Sequence, residues 1–320
     1  MSPQPLQDLH RRRLSLTRVT GLACAALALV APNTFAASCG APPSGELKAE
    51  RVAAVTPSRA EPGLYEGPVW MGDALYFSDF SFAKGFPSRV RKLAADGTVS
   101  TAIEDSGSNG LAVDAGGRLV VASHKDKALV RSDREGKQVL AGSFKGNVFN
   151  SPNDIAVARD GTIYFTDPDW QKAAAPGGQP VTGIYRVATS GEVTLVDGTR
   201  SNPNGIALSP AGDVLYVNAA DGLLVAYPIV KGVPQAGRTL VGGLEGADGM
   251  TLDCHGNLYV TEHGAKRVRV FSPQGRQLAT IRVDANVTNA AFGGKDGKTL
   301  YITGAGALWR LPLAVSGMPY

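Results

Sequence analysis

Short apolar stretches alternate with glycine-containing turns along most of this sequence, and the alternation is periodic. Six stretches begin with an oxygen-bearing polar residue and recur at intervals of 41 to 51 residues. They are Glu66–Trp70, Asn109–Val113, Asn153–Val157, Asn204–Leu208, Asp248–Leu252 and Asn289–Gly293. Each is followed, after a turn, by a second β-type stretch: Leu75–Phe77, Leu119–Val121, Ile163–Phe165, Leu215–Val217, Leu258–Val260 and Leu300–Ile302. A unit of short strands and turns that repeats every ~40–50 residues is typical of one blade of a β-propeller.

Six such repeats predict an all-β fold, a six-bladed β-propeller with four antiparallel strands in each blade. The sixth repeat is incomplete, because few residues follow its third strand at 307–313. Upstream of the first repeat, Glu50–Val55 has the pattern of a strand without a partner. We expect it to join the last blade and close the ring, which removes an exposed sheet edge. The predicted division is a signal peptide at 1–38, an N-terminal segment with the closing strand at 39–59, and the propeller at 60–320.

The composition agrees with a turn-rich globular protein. The chain has 320 residues with 39 Gly and 20 Pro, and 43% of it is apolar, which is too much for a disordered chain. Only 19% is charged, which excludes a coiled coil or long-helix protein. The net charge of +4 comes mostly from the first 38 residues, so the remainder is nearly neutral. We therefore expect no nucleic-acid partner.

The N-terminus has the three parts of a secretory signal peptide. Arg11–Arg13 precedes the apolar stretch Val19–Val30, and the small residues Ala36–Ser38 follow. The apolar stretch is too short to span a bilayer comfortably. We therefore predict export to the periplasm or the medium. The adjacent arginines also resemble a twin-arginine export signal.

Export leaves two cysteines in the mature chain, Cys39 and Cys254, because Cys24 lies in the signal peptide. Two hypotheses for Cys39 are open at this stage. Ala36–Cys39 resembles a bacterial lipoprotein processing site, which would lipidate Cys39 and attach the protein to a membrane. Alternatively, Cys39 and Cys254 form a disulfide bond in an oxidising compartment. No Cys-x-x-Cys spacing indicates zinc.

The first residues of the six repeats predict a metal site. In a propeller the first strand of each blade lies innermost, so equivalent residues form a ring around the central channel. The ring consists of Glu66, Asn109, Asn153, Asn204, Asp248 and Asn289. All six side chains carry oxygen donors, which suit a hard divalent cation, and calcium best. The alternative is that the Asn-Gly and Asp-Gly pairs only form tight turns.

The ends of the second strands supply further candidates, because these strands return to the same face of the propeller. The ends carry Asp79, His124, Asp167, Asn218 and the pair Glu262–His263. We consider His124 and His263 as candidates for proton transfer; the alternative is that each is a hydrogen-bonded rim histidine. The long segment 167–183 is interpreted as a lid whose Asp167 and Trp170 bind substrate, or else as a surface insertion.

Several of these motifs together resemble the senescence-marker-protein, gluconolactonase and luciferin-regenerating-enzyme family, and within it the bacterial gluconolactonases. The matching stretches are Asn109–Leu119 with His124, Phe149–Val157, Ile163–Pro168, Pro203–Gly205, Ala247–Met250 and Thr288–Gly294. The resemblance covers most of residues 60 to 310. It implies a divalent metal, usually calcium, at the mouth of the channel.

The resemblance also implies roles for the ring residues. The family's metal-ligand positions correspond to Glu66, Asn204, Asp248 and, directly or through substrate and water, Asn153. Asn109 and Asn289 fall on pocket positions that would contact the substrate. The sequence departs from the family at Ala122, where a cysteine is usual, and in the apolar segment Phe80–Phe86. These departures concern the substrate rather than the metal.

The sequence thus predicts a metal-dependent hydrolase that acts on small-molecule lactones or esters. The metal would polarise the lactone carbonyl, and Asp248, or else His124 or His263, would activate the attacking water. A serine hydrolase is disfavoured because the sequence has no Gly-x-Ser-x-Gly motif. Two alternatives are a non-catalytic propeller that binds a ligand or a protein, and an esterase that acts on aryl or phosphate esters.

Overall fold

The computed structural model of the protein describes residues 39–56, 63–133, 136–173 and 176–318. The predicted signal peptide, residues 1–38, lies outside the described residues. The described part of the chain contains 28 strands and no helix, and hence no helix that is long and apolar enough to cross a membrane. The strands form six sheets of four or five strands and one short hairpin. The six sheets are the blades of a propeller, as the repeats predict.

The strands follow the repeats in chain order. The N-terminal segment contributes β1 (Gly45–Lys48) and β2 (Glu50–Arg51). Blade 1 consists of β3 (Leu64–Met71), β4 (Ala74–Phe80), β5 (Ser88–Ala94) and β6 (Val99–Ile103). Blade 2 consists of β7 (Ser108–Val113), β8 (Leu119–Ser123), β9 (Ala128–Asp133) and β10 (Gly136–Ala141). A hairpin of β11 (Ser143–Phe144) and β12 (Asn147–Val148) leads from blade 2 to blade 3.

The second half of the chain is built in the same way. Blade 3 consists of β13 (Ile155–Val157), β14 (Ile163–Asp167), β15 (Gly183–Val187) and β16 (Val193–Asp197). Blade 4 consists of β17 (Pro203–Leu208), β18 (Val214–Ala219), β19 (Leu224–Val230), the short β20 (Val233–Pro234) and β21 (Arg238–Val241). Blade 5 consists of β22 (Ala247–Leu252), β23 (Leu258–Glu262), β24 (Arg267–Phe271) and β25 (Gln277–Arg282). Blade 6 begins with β26 (Val287–Gly293), β27 (Thr299–Gly304) and β28 (Leu308–Pro312).

The first strand of every blade lines the central channel. These strands contact one another in ring order: β3, β7, β13, β17, β22, β26 and again β3. The other strands of each blade lie outward in chain order. The hydrophobic core fills the spaces between blades; Tyr259, Phe292 and Trp309, for example, pack between blades 5 and 6. Neighbouring blades therefore cover the faces of each other's sheets, and this packing holds the inner strands around the channel.

The N-terminal segment closes the ring. β2 pairs antiparallel with β28, with Glu50 opposite Arg310 and Arg51 opposite Trp309, and it supplies the fourth strand of blade 6. The predicted closing strand is thus confirmed, although only two residues of the expected 50–55 are paired. β1 makes a pairing that the repeats do not predict, since it lies parallel to β25 at the outer edge of blade 5. The segment therefore covers two sheet edges.

A disulfide bond ties the same segment to blade 5. Cys39 is bonded to Cys254, which lies in the turn between β22 and β23. Of the two hypotheses for Cys39, the structure therefore shows the disulfide. In the same turn, Nε2 of His255 lies 2.7 Å from the carbonyl oxygen of Gly40. The start of the segment is thus held at two points.

Deleting residues 46–56 should lower the melting temperature by roughly 10 °C, because it exposes two sheet edges and removes the packing of the buried Ala49 and Val55. Thermal unfolding followed by circular dichroism measures this. Glu46→Ala is the matched control, because it keeps both strands and removes only the exposed ion pair with Arg282. Its melting temperature should change by less than about 2 °C. An equally small change for the deletion would show that the segment does not stabilise the ring.

Candidate active site

The six predicted ring residues come together at one end of the channel. Five of them are buried, and the side chain of Asp248 is 16% exposed. Two neighbouring pairs in the ring are joined by side-chain hydrogen bonds. The amide of Asn204 donates to Oδ1 of Asp248 at 2.6 Å, and that of Asn289 donates to Oε2 of Glu66 at 3.1 Å. The ring is therefore a polar layer in which four of the six side chains are linked in two pairs.

A β-bulge lies at the level of the ring in the inner strand of five blades. In blade 1 the pairing with the second strand shifts between Glu66 and Val69, and equivalent shifts occur in blades 2, 4, 5 and 6. A bulge bends the strand and changes the direction of a side chain. The Asn-Gly and Asp-Gly pairs lie inside β7, β17 and β22, and none of these glycines has a positive φ. The alternative that these pairs only form tight turns is therefore wrong.

The glycine after a ring residue allows close contact between blades. A Cβ atom on Gly110 would lie 2.0 Å from the carbonyl oxygen of Asn153. A Cβ atom on Gly205 would lie 2.3 Å from the carbonyl oxygen of Asp248. No side chain fits into these gaps, so glycine lets the next ring residue pack directly against the preceding inner strand.

Side chains on the second strands hold the backbone of the ring from one blade to the next. Ser78 donates to the carbonyl oxygen of Asn109 at 2.5 Å. In the same way, Thr166 donates to that of Asn204 at 2.7 Å, and Asn218 donates to that of Asp248 at 2.8 Å. The three donors occupy one position of the repeat, directly after the second β-type stretch. The repeats place these three side chains at equivalent positions, but their hydrogen bonds to the neighbouring blade are visible only in the structure.

The ring offers oxygen atoms that lack partners. Among the described residues, the buried Oδ1 atoms of Asn109, Asn153 and Asn204 accept no hydrogen bond. Such atoms cost free energy when they are buried, so they suit a bound cation. Glu66 and Asp248 add two carboxylates to the layer. This all-oxygen set of amides and carboxylates fits calcium better than zinc.

Carboxylates alone do not make this site. In the described ranges, no group of three or more His, Cys, Asp or Glu side chains is arranged to hold a metal ion. A cation at the ring therefore depends on the asparagine oxygens as well as on the carboxylates. This dependence again favours a cation that accepts neutral oxygen ligands, as calcium does.

A third carboxylate, which the sequence analysis missed, lies next to the ring. Asp154 is buried and accepts hydrogen bonds from the backbone amides of Ile155 at 3.1 Å and Ile206 at 3.3 Å. Burial, together with the charge of Asp248, raises the pKa of Asp154 to about 7. Burial and the charges of both aspartates raise the pKa of Glu66 well above its ordinary value. A bound cation would relieve this repulsion and favour the charged carboxylates.

Asp154 escaped notice because side chains normally alternate along a strand. Regular alternation would direct the neighbour of the channel-facing Asn153 away from the channel. In the structure the regular strand β13 begins only at Ile155, so the alternation does not hold at the two preceding residues. Asp154 and Asn289 in fact line a cavity of about 1280 Å³ that opens on the opposite face of the propeller.

Asp154→Asn should remove a pH-dependent loss of stability from the metal-free protein. The folded protein keeps the proton of Asp154 up to about pH 7, whereas an unfolded aspartate loses it near pH 4. Between these values the folded state binds more protons, so the contribution of Asp154 to stability falls as the pH rises. The free energy of unfolding of the variant, relative to wild type, should therefore be higher at pH 7 than at pH 5. Urea unfolding in chelator measures this; equal differences at both pH values would contradict the raised pKa.

Asp248 and His263 form a pair at the mouth of the channel. Nδ1 of His263 lies 3.5 Å from Oδ2 of Asp248 and 2.6 Å from the carbonyl oxygen of Val287. A carbonyl oxygen only accepts hydrogen bonds, so Nδ1 carries the proton and Nε2 is left to accept one. The adjacent carboxylate of Asp248 raises the pKa of His263. Because the imidazole side chain is 34% exposed, water can reach it.

His124, the other histidine considered for proton transfer, is not placed for that role. Its side chain is fully buried, and its ring centroid lies 4.5 Å from that of Phe86. Burial and the charge of Lys127 lower the pKa of His124 well below its ordinary value. His124 therefore stays neutral and is shielded from water. Its position at a strand end is as expected, but the cover by Phe86 was not foreseen.

Asp167, predicted to bind substrate, has a different position. Its carboxylate is fully buried and accepts hydrogen bonds from the backbone amides of Asn150 at 2.9 Å and Ser151 at 2.7 Å. These bonds fix the loop that leads to Asn153. The buried carboxylate of Asp167 therefore positions the loop that leads to the ring.

Trp170 does lie at the rim. Its side chain is 44% exposed. The backbone amide of the preceding Asp169 donates to Oδ1 of Asn202 at 2.8 Å. Since Asn202 directly precedes β17, this contact holds the loop that carries Trp170 near the start of that inner strand.

The remaining candidates at the ends of the second strands hold the rim together. Asp79 forms an ion pair with Arg89 at 3.0 Å. Glu262 is fully buried and pairs with Arg267 and Arg269, which lowers its pKa. These carboxylates are engaged in structural contacts, whereas Glu66, Asp154 and Asp248 face the channel layer.

Residues 64–306 match the family model described as the SMP-30/Gluconolactonase/LRE-like region. The chain belongs to this family. The match runs from β3 to the end of β27 and includes every ring residue. The resemblance seen in the sequence is thereby confirmed.

Members of the family, and proteins of the same fold, cover most of the chain. A gluconolactonase from Zymomonas mobilis subsp. mobilis is 32% identical over 277 residues, which are 74% of this chain and 75% of that protein. The structure of a gluconolactonase from Xanthomonas campestris is 30% identical and covers 86% of this chain and 100% of its own, with a TM-score of 0.71. Regucalcin from Agrobacterium tumefaciens, a calcium-binding protein, is 20% identical with a TM-score of 0.70, over 87% of this chain and 97% of its own. This last likeness concerns the fold alone.

Proposed function

We propose that the protein is a calcium-dependent lactone hydrolase of the gluconolactonase type. Membership of the family and two relatives named gluconolactonase support hydrolysis of lactones. The observation that carries the proposal is the ring, where three unpaired amide oxygens lie in one layer with two carboxylates beside a histidine–aspartate pair. A layer of this kind at an open mouth is suited to binding and polarising a carbonyl group.

The ring would hold the cation through oxygen atoms alone. The proposed ligands are Glu66, Asn153, Asn204 and Asp248, and the unpaired Oδ1 of Asn109 faces the same layer. When bound, calcium supplies the positive charge that polarises the lactone carbonyl and offsets the oxyanion. In this proposal Asn109 and Asn289 would contact the lactone ring.

His263 is the residue that we assign to water activation. Nε2 accepts a proton from water as the water oxygen bonds to the carbonyl carbon of the lactone. Asp248 and the carbonyl oxygen of Val287 hold Nδ1–H, which fixes the tautomer and stabilises the charge that develops on the imidazole. When the ring C–O bond breaks, the leaving oxygen takes the proton from Nε2, which gives the hydroxy acid and neutral His263.

This assignment revises the preference that the sequence suggested. Asp248 was favoured there as the group that activates water. In the structure its Oδ1 accepts the hydrogen bond of Asn204, and its Oδ2 lies next to His263. We therefore assign Asp248 to holding the cation and the histidine, and His263 to moving the proton.

A substrate panel tests the proposal. The purified mature protein is assayed by pH-stat on glucono-δ-lactone, δ-valerolactone, an aryl ester and a phosphate ester, with calcium and after chelation. We expect hydrolysis of lactones that requires calcium. Turnover of the aryl or phosphate ester alone would instead support an esterase. Calcium binding without turnover of any substrate would support a non-catalytic binding propeller.

We also propose that the mature protein is exported. The predicted signal peptide motivates this, and the disulfide between Cys39 and Cys254 is of the kind that forms in oxidising compartments. Cell fractionation with an antibody against the propeller tests it. Protein confined to the cytoplasm with both thiols reduced would contradict it.

A further inference from the structure

Two aromatic side chains are exposed at the mouth of the channel and have no role in the mechanism above. Phe82 lies in the loop between β4 and β5 and is 54% exposed; Trp170 lies in the loop between β14 and β15 and is 44% exposed. Both loops leave the ends of second strands, on the face that carries the ring. Clustered exposed apolar side chains mark binding sites more often than scattered ones do.

On one side of the mouth, an aromatic strip leads from solvent to the ring. The strip consists of Phe82, Phe80, Phe86 and His124, whose successive ring centroids lie 5.6, 4.6 and 4.5 Å apart. Phe80 is paired with Leu64, two residues before Glu66. At the buried end, the backbone of Pro152, next to Asn153, approaches the imidazole of His124. Phe80, Phe86 and His124 are buried, so they support Phe82 from behind, and of these four side chains only Phe82 presents apolar surface at the mouth.

Trp170 forms the second wall. Its loop is anchored on Asn202, beside the ring residue Asn204. Val148 and Val181, which are 47% and 43% exposed, lie on neighbouring segments of the same face. In blades 4 to 6, all of which the structure describes, no large apolar side chain is exposed on this face.

The mouth is therefore divided into two halves. Blades 1 to 3 present the exposed apolar side chains. Blade 5, which lies opposite blade 2 in a six-bladed ring, presents Asp248 and His263. A ligand that spans the mouth meets polar groups and the proposed cation on one side, and an apolar surface on the other.

We propose that the substrate is a lactone with an apolar substituent, which lies between Phe82 and Trp170 while the lactone ring lies over the polar ring. This inference rests on the proposed lactone hydrolase function. An alkyl chain would remove apolar surface of both walls from water. A sugar lactone carries hydroxyl groups around its ring and leaves these walls exposed. The protein should therefore prefer alkyl lactones to sugar lactones of the same ring size.

A comparison of two lactones in three variants tests the inference. For wild type, kcat/KM on δ-decalactone should exceed that on δ-valerolactone by about 10-fold or more. Phe82→Ser and Trp170→Ser should each reduce this ratio at least ~5-fold. Val139→Ser is the matched control, because Val139 is 61% exposed in β10, at the outer edge of blade 2 and away from the mouth. It should leave the ratio unchanged.

The possible outcomes are separable. If the protein hydrolyses lactones but its kcat/KM on δ-decalactone is close to that on δ-valerolactone, the inference is wrong and the proposed function stands. The same holds if neither Phe82→Ser nor Trp170→Ser lowers the ratio of these two values. A clear preference for glucono-δ-lactone over δ-decalactone also overturns it. No hydrolysis of any lactone overturns both. If circular dichroism shows that a variant does not fold, the wild-type protein is titrated with the non-hydrolysable 6-pentylpiperidin-2-one and its tryptophan fluorescence is measured. A saturable change in fluorescence supports the inference. The absence of any change overturns it.

Discussion

Asp248→Asn should lower kcat/KM for lactone hydrolysis by roughly 10³-fold or more. The substitution keeps the shape of the side chain and its contact with Asn204, but it removes a negative charge from two places at once. The proposed cation loses a carboxylate ligand, and His263 loses the anion that stabilises its charged form. Initial rates at saturating calcium, with calcium affinity measured in parallel, separate the two losses.

Asp73→Asn is the matched control for this experiment. Asp73 is an exposed turn residue between β3 and β4, on the face opposite the ring. Its substitution makes the same chemical change and should alter kcat/KM by less than about 2-fold. If Asp248→Asn retains a tenth or more of the wild-type kcat/KM, the assignment of Asp248 to the site is wrong.

Gly110→Ala should lower the free energy of unfolding by about 3 kcal/mol or more. The added Cβ would lie 2.0 Å from the carbonyl oxygen of Asn153, and a backbone atom cannot move aside as a flexible side chain can. Since Asn153 is itself a ring residue, we also expect weaker calcium binding. Urea unfolding and a calcium titration of the same variant measure the two effects.

Gly264→Ala controls for the loss of a glycine as such. Gly264 lies in the turn between β23 and β24, has no positive φ, and an added Cβ would meet no heavy atom within 4 Å. Its free energy of unfolding should change by less than about 1 kcal/mol. Equal effects of the two substitutions would mean that the close contact between blades does not govern stability.

The fold follows from the sequence wherever a strand belongs to the repeat. The six inner strands and their outward neighbours recur with the same alternation of apolar and polar positions, and the missing fourth strand of blade 6 pointed to residues near Glu50. The parallel pairing of β1 with β25 could not be foreseen. Gly45–Lys48 carries no repeat pattern, and its position depends on the edge that blade 5 leaves open and on the disulfide of Cys39.

The site was predictable to the extent that it follows the repeat. The ring residues occupy one repeat position on the innermost strands, so their convergence followed from the fold. Asp154 was missed because it lies where regular strand alternation has not yet begun. The burial of His124 and Asp167 could not be predicted, because a strand end places a residue on a face but does not reveal whether a neighbouring loop covers it. In both cases the cover comes from loops whose conformation does not follow the repeat.

The most direct test of the account is the rate of δ-lactone hydrolysis by metal-free protein as calcium is added. Chelated protein, shown to be free of metal by mass spectrometry, should hydrolyse the lactone at less than about 1% of the full rate. Added calcium should restore the rate along a single saturable curve. Hydrolysis at an undiminished rate in the metal-free protein would contradict the central claim that the ring of Glu66, Asn153, Asn204 and Asp248 acts through a bound cation.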